Sequence, residues 1–235
     1  MKTVTYRFKF NKGEEVKFTG HLDIMQTFQR GFKRAKLPIA YSEGFNPHQK
    51  MAFAAPLSLG HISRGEYGDF KLTEKVDPET MMKEINSVMP KGLEITKIVC
   101  LKENTKNPMA SFAAARYKAI FDDIVTPDEI EENIASFMEQ AEILVMKKTK
   151  KGVNETDIKP DIITLYNESI NGVAVIGMLV ASGSVRNLKP ENVAEGFCKY
   201  LGKKYDRYKM HFEREDMFML QDDKLVPLNV GVEDI

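Results

Sequence analysis

Residues 41–50, with the sequence YSEGFNPHQK, hold the densest set of side chains that could do chemistry. They present a phenol, a hydroxyl, a carboxylate, a carboxamide, an imidazole and an ammonium, on Tyr41, Ser42, Glu43, Asn46, His48 and Lys50. The rings of Tyr41 and Phe45 are suited to stack on an unpaired base, while Asn46 or His48 can read the edge of that base. The segment therefore predicts contacts with a nucleic acid.

The same segment is predicted to be a loop that leads into an extended stretch. Gly44 adopts positive φ at no steric cost, and Asn46 precedes a proline, which pushes it out of the helical region. An apolar run from Met51 to Leu57 follows at once. Rigidly held polar loops often carry function. The alternative is a hydrophilic hairpin loop with no role.

A basic cluster stands just before this loop. Apolar residues at helical spacing predict a helix from about Gly20, and Pro38 ends it. The last turns of this helix carry Arg30, Lys33 and Arg34. Cations at a helix C-terminus complement the helix dipole, so a purely structural explanation stays open beside phosphate contact.

Two later polar segments are further candidates for phosphate contact. Lysines surround Gly152 in a predicted insertion at 147–161, where they can follow a phosphate backbone as point charges. The segment GSVR at 183–186 precedes the last predicted helix and offers backbone N–H groups beside an arginine. The predicted contacts in these segments are Lys150, Lys151, Asp157, Lys159, Ser184 and Arg186. Solvated loops are the alternative.

The histidines do not predict a metal site. His21 and Asp23 are two residues apart on the predicted helix, so their side chains point about 200° apart and cannot hold one ion from one face. The sequence has no HxxxH pair, cysteine cluster, P-loop or dinucleotide fingerprint. We therefore expect no metal or cofactor in this chain. If the protein is an enzyme, His21, Tyr41 and His48 are the candidates for acid–base catalysis.

Charge is unevenly distributed along a chain whose net charge is zero. Residues 1–60 carry ten Lys or Arg and four Asp or Glu, a balance of +6, which predicts a local cationic surface. Ordinary variation in surface charge is the alternative. No apolar run is long enough to span a bilayer and the N-terminus lacks a signal peptide, so we expect a cytoplasmic protein. Cys100 and Cys198 are expected to be buried thiols.

The elements that position these residues follow one order twice. Tyr6–Phe10 alternates aromatic and basic residues and predicts a half-buried strand. The sequence predicts strand, helix, strand, strand, helix, strand up to residue 101, then a polar linker, then the same order again. The predicted fold class is α+β, with two tandem ferredoxin-like units (split βαβ units with antiparallel sheets). We place them at 1–103, with the YSEGFNPH loop, and at 113–235, with the basic insertion.

The sequence resembles a family of radical-SAM-associated bacterial proteins that carry a domain of unknown function. The resemblance rests on FTGHLD at 18–23, RAKLP at 34–38, AYSEGFNPH at 40–48, PLSLG at 56–60, GEY at 65–67 and the later KG, DIKP and GSVR segments. Gln49 stands where that pattern has proline. The resemblance implies an accessory protein whose partner, a radical-SAM protein, carries the iron–sulfur cluster, SAM and cobalamin.

Three functions remain open from the sequence. The leading hypothesis is a non-catalytic protein that binds or presents structured RNA (tRNA or rRNA) to a radical-SAM enzyme. The second is a metal-independent endoribonuclease, because tandem ferredoxin-like units resemble the CRISPR repeat-processing endoribonucleases, and Lys50 would then stabilise the charged transition state. The third is a protein–protein module that docks a radical-SAM enzyme. No membrane partner is expected.

Overall fold

The computed structural model describes residues 3–149 and 152–233. The fold is mixed α+β, with a large, mostly antiparallel sheet and few helices. The described residues fall into two units: unit 1 takes those up to 112 and from 216 onward, and unit 2 takes 113–215. The predicted boundary assigned everything after 113 to the second unit, so the C-terminal segment is placed differently.

Unit 1 begins with a strand–helix–strand–strand–helix–strand series. Its elements are β1 (Val4–Lys12), α1 (His21–Arg34), β2 (Met51–Phe53), β3 (Ile62–Leu72), α2 (Pro78–Val88), β4 (Leu93–Cys100) and the short α3 (Pro108–Ser111). The strands lie in the order β4–β1–β3–β2, and each neighbouring pair is antiparallel. The second strand is shorter than the extended run that the sequence predicts.

Unit 2 repeats that series and adds a hairpin. Its elements are β5 (Phe112–Phe121), α4 (Pro127–Glu139), β6 (Leu144–Thr149), β7 (Gly152–Asp157), β8 (Ile162–Asn167), β9 (Ala174–Ala181), α5 (Pro190–Tyr200) and the first part of β10 (Met210–Gln221). The strand order is β10–β5–β9–β8. Within the described residues, β6 and β7 pair with each other and with no strand of the large sheet, so the described part of the predicted basic insertion belongs largely to a separate β6–β7 hairpin. The rest of β10 and β11 (Lys224–Pro227) belong to unit 1.

Local sequence signals explain where the helices begin. The Asp77 side chain accepts a hydrogen bond from the backbone N–H of Thr80 at 2.8 Å, and Pro78 follows it as the first helical residue of α2. Thr126 and Glu129 form a reciprocal capping box at the start of α4. Both arrangements satisfy N–H groups that a helix start leaves without partners.

Aromatic residues form the core of unit 1. Phe8 of β1 packs against Phe28 and Phe32 of α1, with ring centroids 5.0 and 5.9 Å apart, and against Phe53 and Phe70 at 5.7 Å. Such ring pairs contribute about 0.5–1.5 kcal/mol each beyond their buried area. This cluster holds α1 against the sheet. It therefore determines which face of α1 is exposed.

The opposite face of β1 is also covered, contrary to the predicted half-buried strand. Arg7 is fully buried and pairs with Asp69 of β3, while Lys9 pairs with Asp216 at 2.8 Å. Arg7 also donates to the backbone oxygen of Leu228 at 2.7 Å. These contacts bind the C-terminal segment 216–233 to β1, which explains why it belongs to unit 1 rather than to unit 2.

Candidate functional site

The exposed face of α1 carries a polar row near its C-terminal end. Gln26, Arg30 and Lys33 follow one another at spacings of four and three residues, and therefore share one face of the helix. All three are exposed, whereas Phe28 and Phe32 on the opposite face are buried. The apolar stripe that holds the helix on the sheet thus turns the two cations outward.

The segment 41–49 is a closed loop that faces this helix. Tyr41 and Gln49 form an antiparallel β-bridge at its base, and the N–H of Ser42 donates to the backbone oxygen of His48 at 2.8 Å. Gly44, at φ 110°, makes the turn that an L side chain would strain. The base of the loop is therefore ordered by main-chain hydrogen bonds, and the ring of Phe45 near its tip is fully exposed.

Ser42 fixes the orientation of the His48 ring. The N–H of His48 donates to Ser42 Oγ at 3.0 Å, and the same Oγ lies 2.9 Å from His48 Nδ1. The hydroxyl has one hydrogen and two acceptor lone pairs, so Oγ can donate to Nδ1 or accept from Nδ1–H, according to the tautomer of the ring. In either case an oriented imidazole is presented at the surface.

The helix face and the loop enclose a groove, which we call the α1–loop groove. Its lining residues are Gln26, Gln29, Arg30 and Lys33 from the helix side and Tyr41, Pro47, His48 and Gln49 from the loop side. Two cations therefore stand opposite a phenol and an imidazole. The groove unites four residues that the sequence predicts for RNA contact, namely Arg30, Lys33, Tyr41 and His48.

Gln49 lies at the base of this groove and differs from the other lining residues in being buried. Gln49 is 5% exposed. Its Nε2 donates to the backbone oxygen of Gln29 at 3.0 Å, which joins the loop to the middle of α1. The glutamines of the groove were not predicted as site residues. The spacing of Gln26 relative to Arg30 and Lys33 is the signal that could have identified the helix wall.

Several cations of the first 60 residues take part in internal contacts. Arg7 and Lys9 pair with buried or half-buried carboxylates, and Lys12 is buried and donates to the backbone oxygen of Lys17 at 2.9 Å. Lys17 itself pairs with Glu14. The excess of +6 is therefore not one cationic patch. Among the described cations of this stretch, those classed as exposed lie on α1 and directly after it, namely Arg30, Lys33, Arg34 and Lys36.

Residues 5–190 match a family described as an uncharacterised protein conserved in bacteria, DUF2344. The chain belongs to this family. The match includes every residue of the α1–loop groove and most of unit 2. No curated protein matches the chain.

Among solved structures, the chain is similar to the crystal structure of an unknown protein from Galdieria sulphuraria. The two are 10% identical, the alignment covers 91% of this chain and 99% of that chain, and the TM-score is 0.27. A similarity at this TM-score carries no argument about the fold or the function of the family member described here.

The other predicted residues of unit 1 lie outside the groove lining. The exposed residues Glu43, Phe45 and Asn46 belong to the outer part of the loop, and Lys50 is half-buried just after it. The Nη2 of Arg34 donates to the backbone oxygen of Val88 at 2.7 Å, which ties the end of α1 to α2. This contact gives Arg34 a structural role through α2, in addition to the helix-dipole explanation that the sequence left open.

His21 is not brought together with His48. It lies at the first position of α1, its ring packs edge-on against Phe53 with centroids 5.7 Å apart, and it lines a small separate cavity with Lys12 and Glu66. The predicted catalytic residues are therefore divided, with Tyr41 and His48 in the α1–loop groove and His21 elsewhere in unit 1.

Three of the predicted phosphate contacts of unit 2, Asp157, Lys159 and Arg186, have partners within unit 2. Asp157 Oδ1 accepts the N–H of Ile143 and that of Lys159, and Lys159 Nζ donates to the backbone oxygen of Gln140. Arg186 pairs with Asp161 and donates to the backbone oxygen of Pro160, while Ser184 is exposed. These contacts close the base of the β6–β7 hairpin. Lys150 and Lys151 lie outside the described residues.

Residues 3–149 and 152–233 contain no group of three or more His, Cys, Asp or Glu side chains arranged to hold a metal ion. None of the helices in the same ranges is long and apolar enough to cross a bilayer.

Proposed function

We propose that this protein binds an unpaired stretch of RNA, in a tRNA or rRNA, in the α1–loop groove. The observation that carries the proposal is the facing pair of walls, with Arg30 and Lys33 on one side and Tyr41 and His48 on the other. Cations bind backbone phosphates, and a tyrosine ring provides a stacking surface that accepts any base. The fully exposed ring of Phe45 adds a second stacking surface.

The accessory role is part of the same proposal. It rests on the resemblance of the YSEGFNPH region to radical-SAM-associated proteins, and it places the iron–sulfur cluster, SAM and cobalamin on a cytoplasmic partner enzyme. An exposed apolar group in unit 1 supports docking of a protein. Phe18, Leu22 and Leu59 are 74%, 70% and 64% exposed, and the N–H of Gly60 donates to the backbone oxygen of Lys17, which holds the 59–60 turn beside Phe18.

We also propose that each unit is ferredoxin-like, so that the two form a tandem pair. The support is the strand order, β4–β1–β3–β2 in unit 1 and β10–β5–β9–β8 in unit 2. In each case the fourth strand of the series lies beside the first, and the third beside the second. With the β6–β7 hairpin set aside, this is the order of a split βαβ unit.

The RNA-binding proposal is tested by fluorescence anisotropy with labelled total tRNA and rRNA fragments over a salt series. In Arg30→Gln/Lys33→Gln the affinity should fall about tenfold or more at low salt, and the slope of log K against log salt should decrease by about one to two, because up to two phosphate contacts are lost. The matched control is Lys83→Gln/Lys91→Gln, which removes two exposed cations that do not line the groove. No binding at low salt, or equal losses in both double variants, would refute the proposal.

A second candidate function is metal-independent RNA cleavage at the same groove. The observation that favours it is the oriented imidazole of His48, held by Ser42 beside two cations that could stabilise a charged transition state. Incubation of labelled RNA with the protein in EDTA tests this function. His48→Ala should abolish cleavage, whereas His21→Ala should leave it unchanged. Cleavage that persists in folded His48→Ala would exclude this assignment.

A further inference from the structure

A cavity of about 630 Å³ opens in unit 1 where the start of β1 lies beside the ends of β3 and β4. The strand register places Thr5 opposite Lys71, and the N–H of Leu101 donates to the backbone oxygen of Thr5 at 2.8 Å. We call this the strand-end cavity. Its volume lies in the range of roughly 300–1,000 Å³ that is usual for small-molecule sites. It shares no lining residue with the α1–loop groove.

The strand-end cavity is positively charged, because three lysines and one glutamate among its lining residues give a balance of +2. The lysines are Lys71, Lys75 and Lys102, and all three are exposed. Within residues 3–149 and 152–233, none of their ammonium groups forms an ion pair or a hydrogen bond. Asp69 lies on the same face of β3 as Lys71, but both of its carboxylate oxygens accept from Arg7. The three cations are therefore available to an anion from outside the chain.

Hydroxyl groups and a fixed backbone complete the lining. The hydroxyls of Thr3 and Thr5 form no hydrogen bond within the described part of the chain, and each can donate to a phosphate oxygen. Thr105 Oγ1 instead donates to the backbone oxygen of Lys102 at 2.8 Å, and the N–H of Lys102 donates to the backbone oxygen of Val232 at 3.0 Å. These bonds hold the backbone of Lys102 at the rim of the cavity.

The lining also limits the kind of anion. Lysine binds phosphate as a point charge, and a cleft lined by one sign of charge concentrates ligands of the opposite sign. A terminal phosphate group carries a charge of about −1.5 to −2 at pH 7, which matches the balance of the cavity. No described aromatic residue lines the cavity, whereas Tyr41 lines the α1–loop groove, so this second site offers no surface on which a base would stack.

We propose that the strand-end cavity binds a small phosphorylated ligand that carries two or more negative charges. Lys71, Lys75 and Lys102 neutralise its phosphate groups, and Thr3 and Thr5 donate hydrogen bonds to the phosphate oxygens. The cavity is larger than one phosphate group requires, so the ligand has a second phosphate or further polar groups. This site is separate from the proposed RNA site and does not depend on it.

The test uses the full chain and pyrophosphate in isothermal titration calorimetry at low salt. Pyrophosphate should bind at one site, and its affinity should fall as salt is added. Lys71→Gln/Lys102→Gln should weaken this binding by about tenfold or more, because two cations that contact the anion are lost. The matched control is Lys83→Gln/Lys91→Gln, which removes two exposed cations of unit 1 that do not line the cavity and should leave the affinity unchanged.

A hydroxyl variant gives an independent readout. Thr5→Val keeps the shape of the side chain and the preference for a strand, but it removes the donor. One hydrogen bond to a charged group changes affinity by roughly tenfold, so pyrophosphate should bind about tenfold more weakly. Unchanged affinity in folded Thr5→Val would place the anion outside the cavity and would overturn the proposal.

The remaining outcomes are equally decisive. Absence of pyrophosphate binding at low salt overturns the proposal, and so does equal weakening in the control, which would indicate general attraction to positive charge. Loss of pyrophosphate binding in Arg30→Gln/Lys33→Gln alone would place the anion in the α1–loop groove. If pyrophosphate does not bind but Lys71→Gln/Lys102→Gln weakens tRNA binding in the anisotropy assay, the cavity contacts RNA and the small-ligand site is refuted. None of these results by itself refutes RNA binding at Arg30 and Lys33.

Discussion

Replacement of Arg7 tests whether β1 carries a buried ion pair that holds the C-terminal segment in unit 1. Arg7 is 0% exposed. Its Nε and Nη2 donate to the two carboxylate oxygens of Asp69 at 2.8 and 3.0 Å. Its Nη1 donates to the backbone oxygen of Leu228 at 2.7 Å, and Nη2 also donates to that of Lys106 at 2.9 Å. One guanidinium thus joins β3, the linker after β4 and the C-terminal segment.

The expected cost of Arg7→Met is large. Loss of one partner of a buried pair leaves an uncompensated charge and costs about 3–5 kcal/mol. Each carbonyl that loses its donor adds about 1–3 kcal/mol where water does not reach it. We therefore expect a loss of at least about 4 kcal/mol in the free energy of unfolding at pH 8, out of the 5–15 kcal/mol that is usual for a domain.

The loss in the free energy of unfolding caused by Arg7→Met should depend on pH. Burial raises the pKa of Asp69, and the Arg7 guanidinium opposes that rise. Without Arg7 the pKa of Asp69 in the folded state rises further above its value in the unfolded chain. The folded form of the variant then binds the proton more tightly than the unfolded chain does. Protonation of Asp69 therefore contributes stability at low pH, and this contribution is lost as the pH rises through the pKa of the folded state. The penalty of Arg7→Met should therefore be smaller at pH 5 than at pH 8.

The assay is urea unfolding followed by circular dichroism at pH 5 and pH 8. Arg7→Met/Asp69→Leu is the matched control, because replacement of a buried ion pair by apolar residues often costs little. It should be more stable than Arg7→Met at pH 8. A loss below about 1 kcal/mol in Arg7→Met, a penalty that grows toward pH 5, or simple additivity of Arg7→Met and Asp69→Leu would refute the argument.

Three further predictions concern single contacts. Ser42→Ala removes the acceptor of the His48 N–H and should expose that amide to hydrogen exchange, measured by NMR; unchanged protection would contradict the geometry of the loop. Thr126→Ala removes the capping box of α4 and should lower the free energy of unfolding by about 1 kcal/mol, measured in urea titrations. An unchanged free energy of unfolding would contradict the stabilising role of this cap. Burial raises the pKa of Cys198 to about 11, so in Cys100→Ser this thiol should react with DTNB only on unfolding, and rapid reaction of the native protein would contradict its burial.

Features that depend only on residues close in the chain can be predicted from the sequence. Asp77 before Pro78 and Thr126 before Pro127 each begin a helix, because a cap needs only its own neighbours. The α1–loop groove is partly of this kind, since all of its lining residues lie between positions 26 and 49. Its cations and rings were therefore accessible from the sequence, although a connected helix and loop do not by themselves show that their side chains face each other.

The partner of an individual strand is harder to predict when it lies far away in the chain. The apolar run at 143–146 is long enough for a strand, but no local signal tells whether that strand joins the main sheet or pairs with its successor. In the structure Leu144–Thr149 pairs with Gly152–Asp157 as a separate hairpin. Gln49 was missed for a related reason. A glutamine at the end of a polar loop has no pattern that marks it as buried, and only the contact with α1 shows it.

The first strand shows why charge counts along a sequence overestimate a cationic surface. Alternation of aromatic and basic residues is the same whether the basic face meets water or a second layer of the protein. In β1 this face is covered by the linker after β4 and by the C-terminal segment, whose backbone oxygens accept from Arg7. Strands β3 and β10 supply Asp69 and Asp216 as counter-charges to Arg7 and Lys9. Neither carboxylate lies within the first 60 residues, so a window of that length counts the cations and omits their partners. The charge available to a phosphate is better estimated from the helix end and loop alone, where Arg30 and Lys33 face the groove.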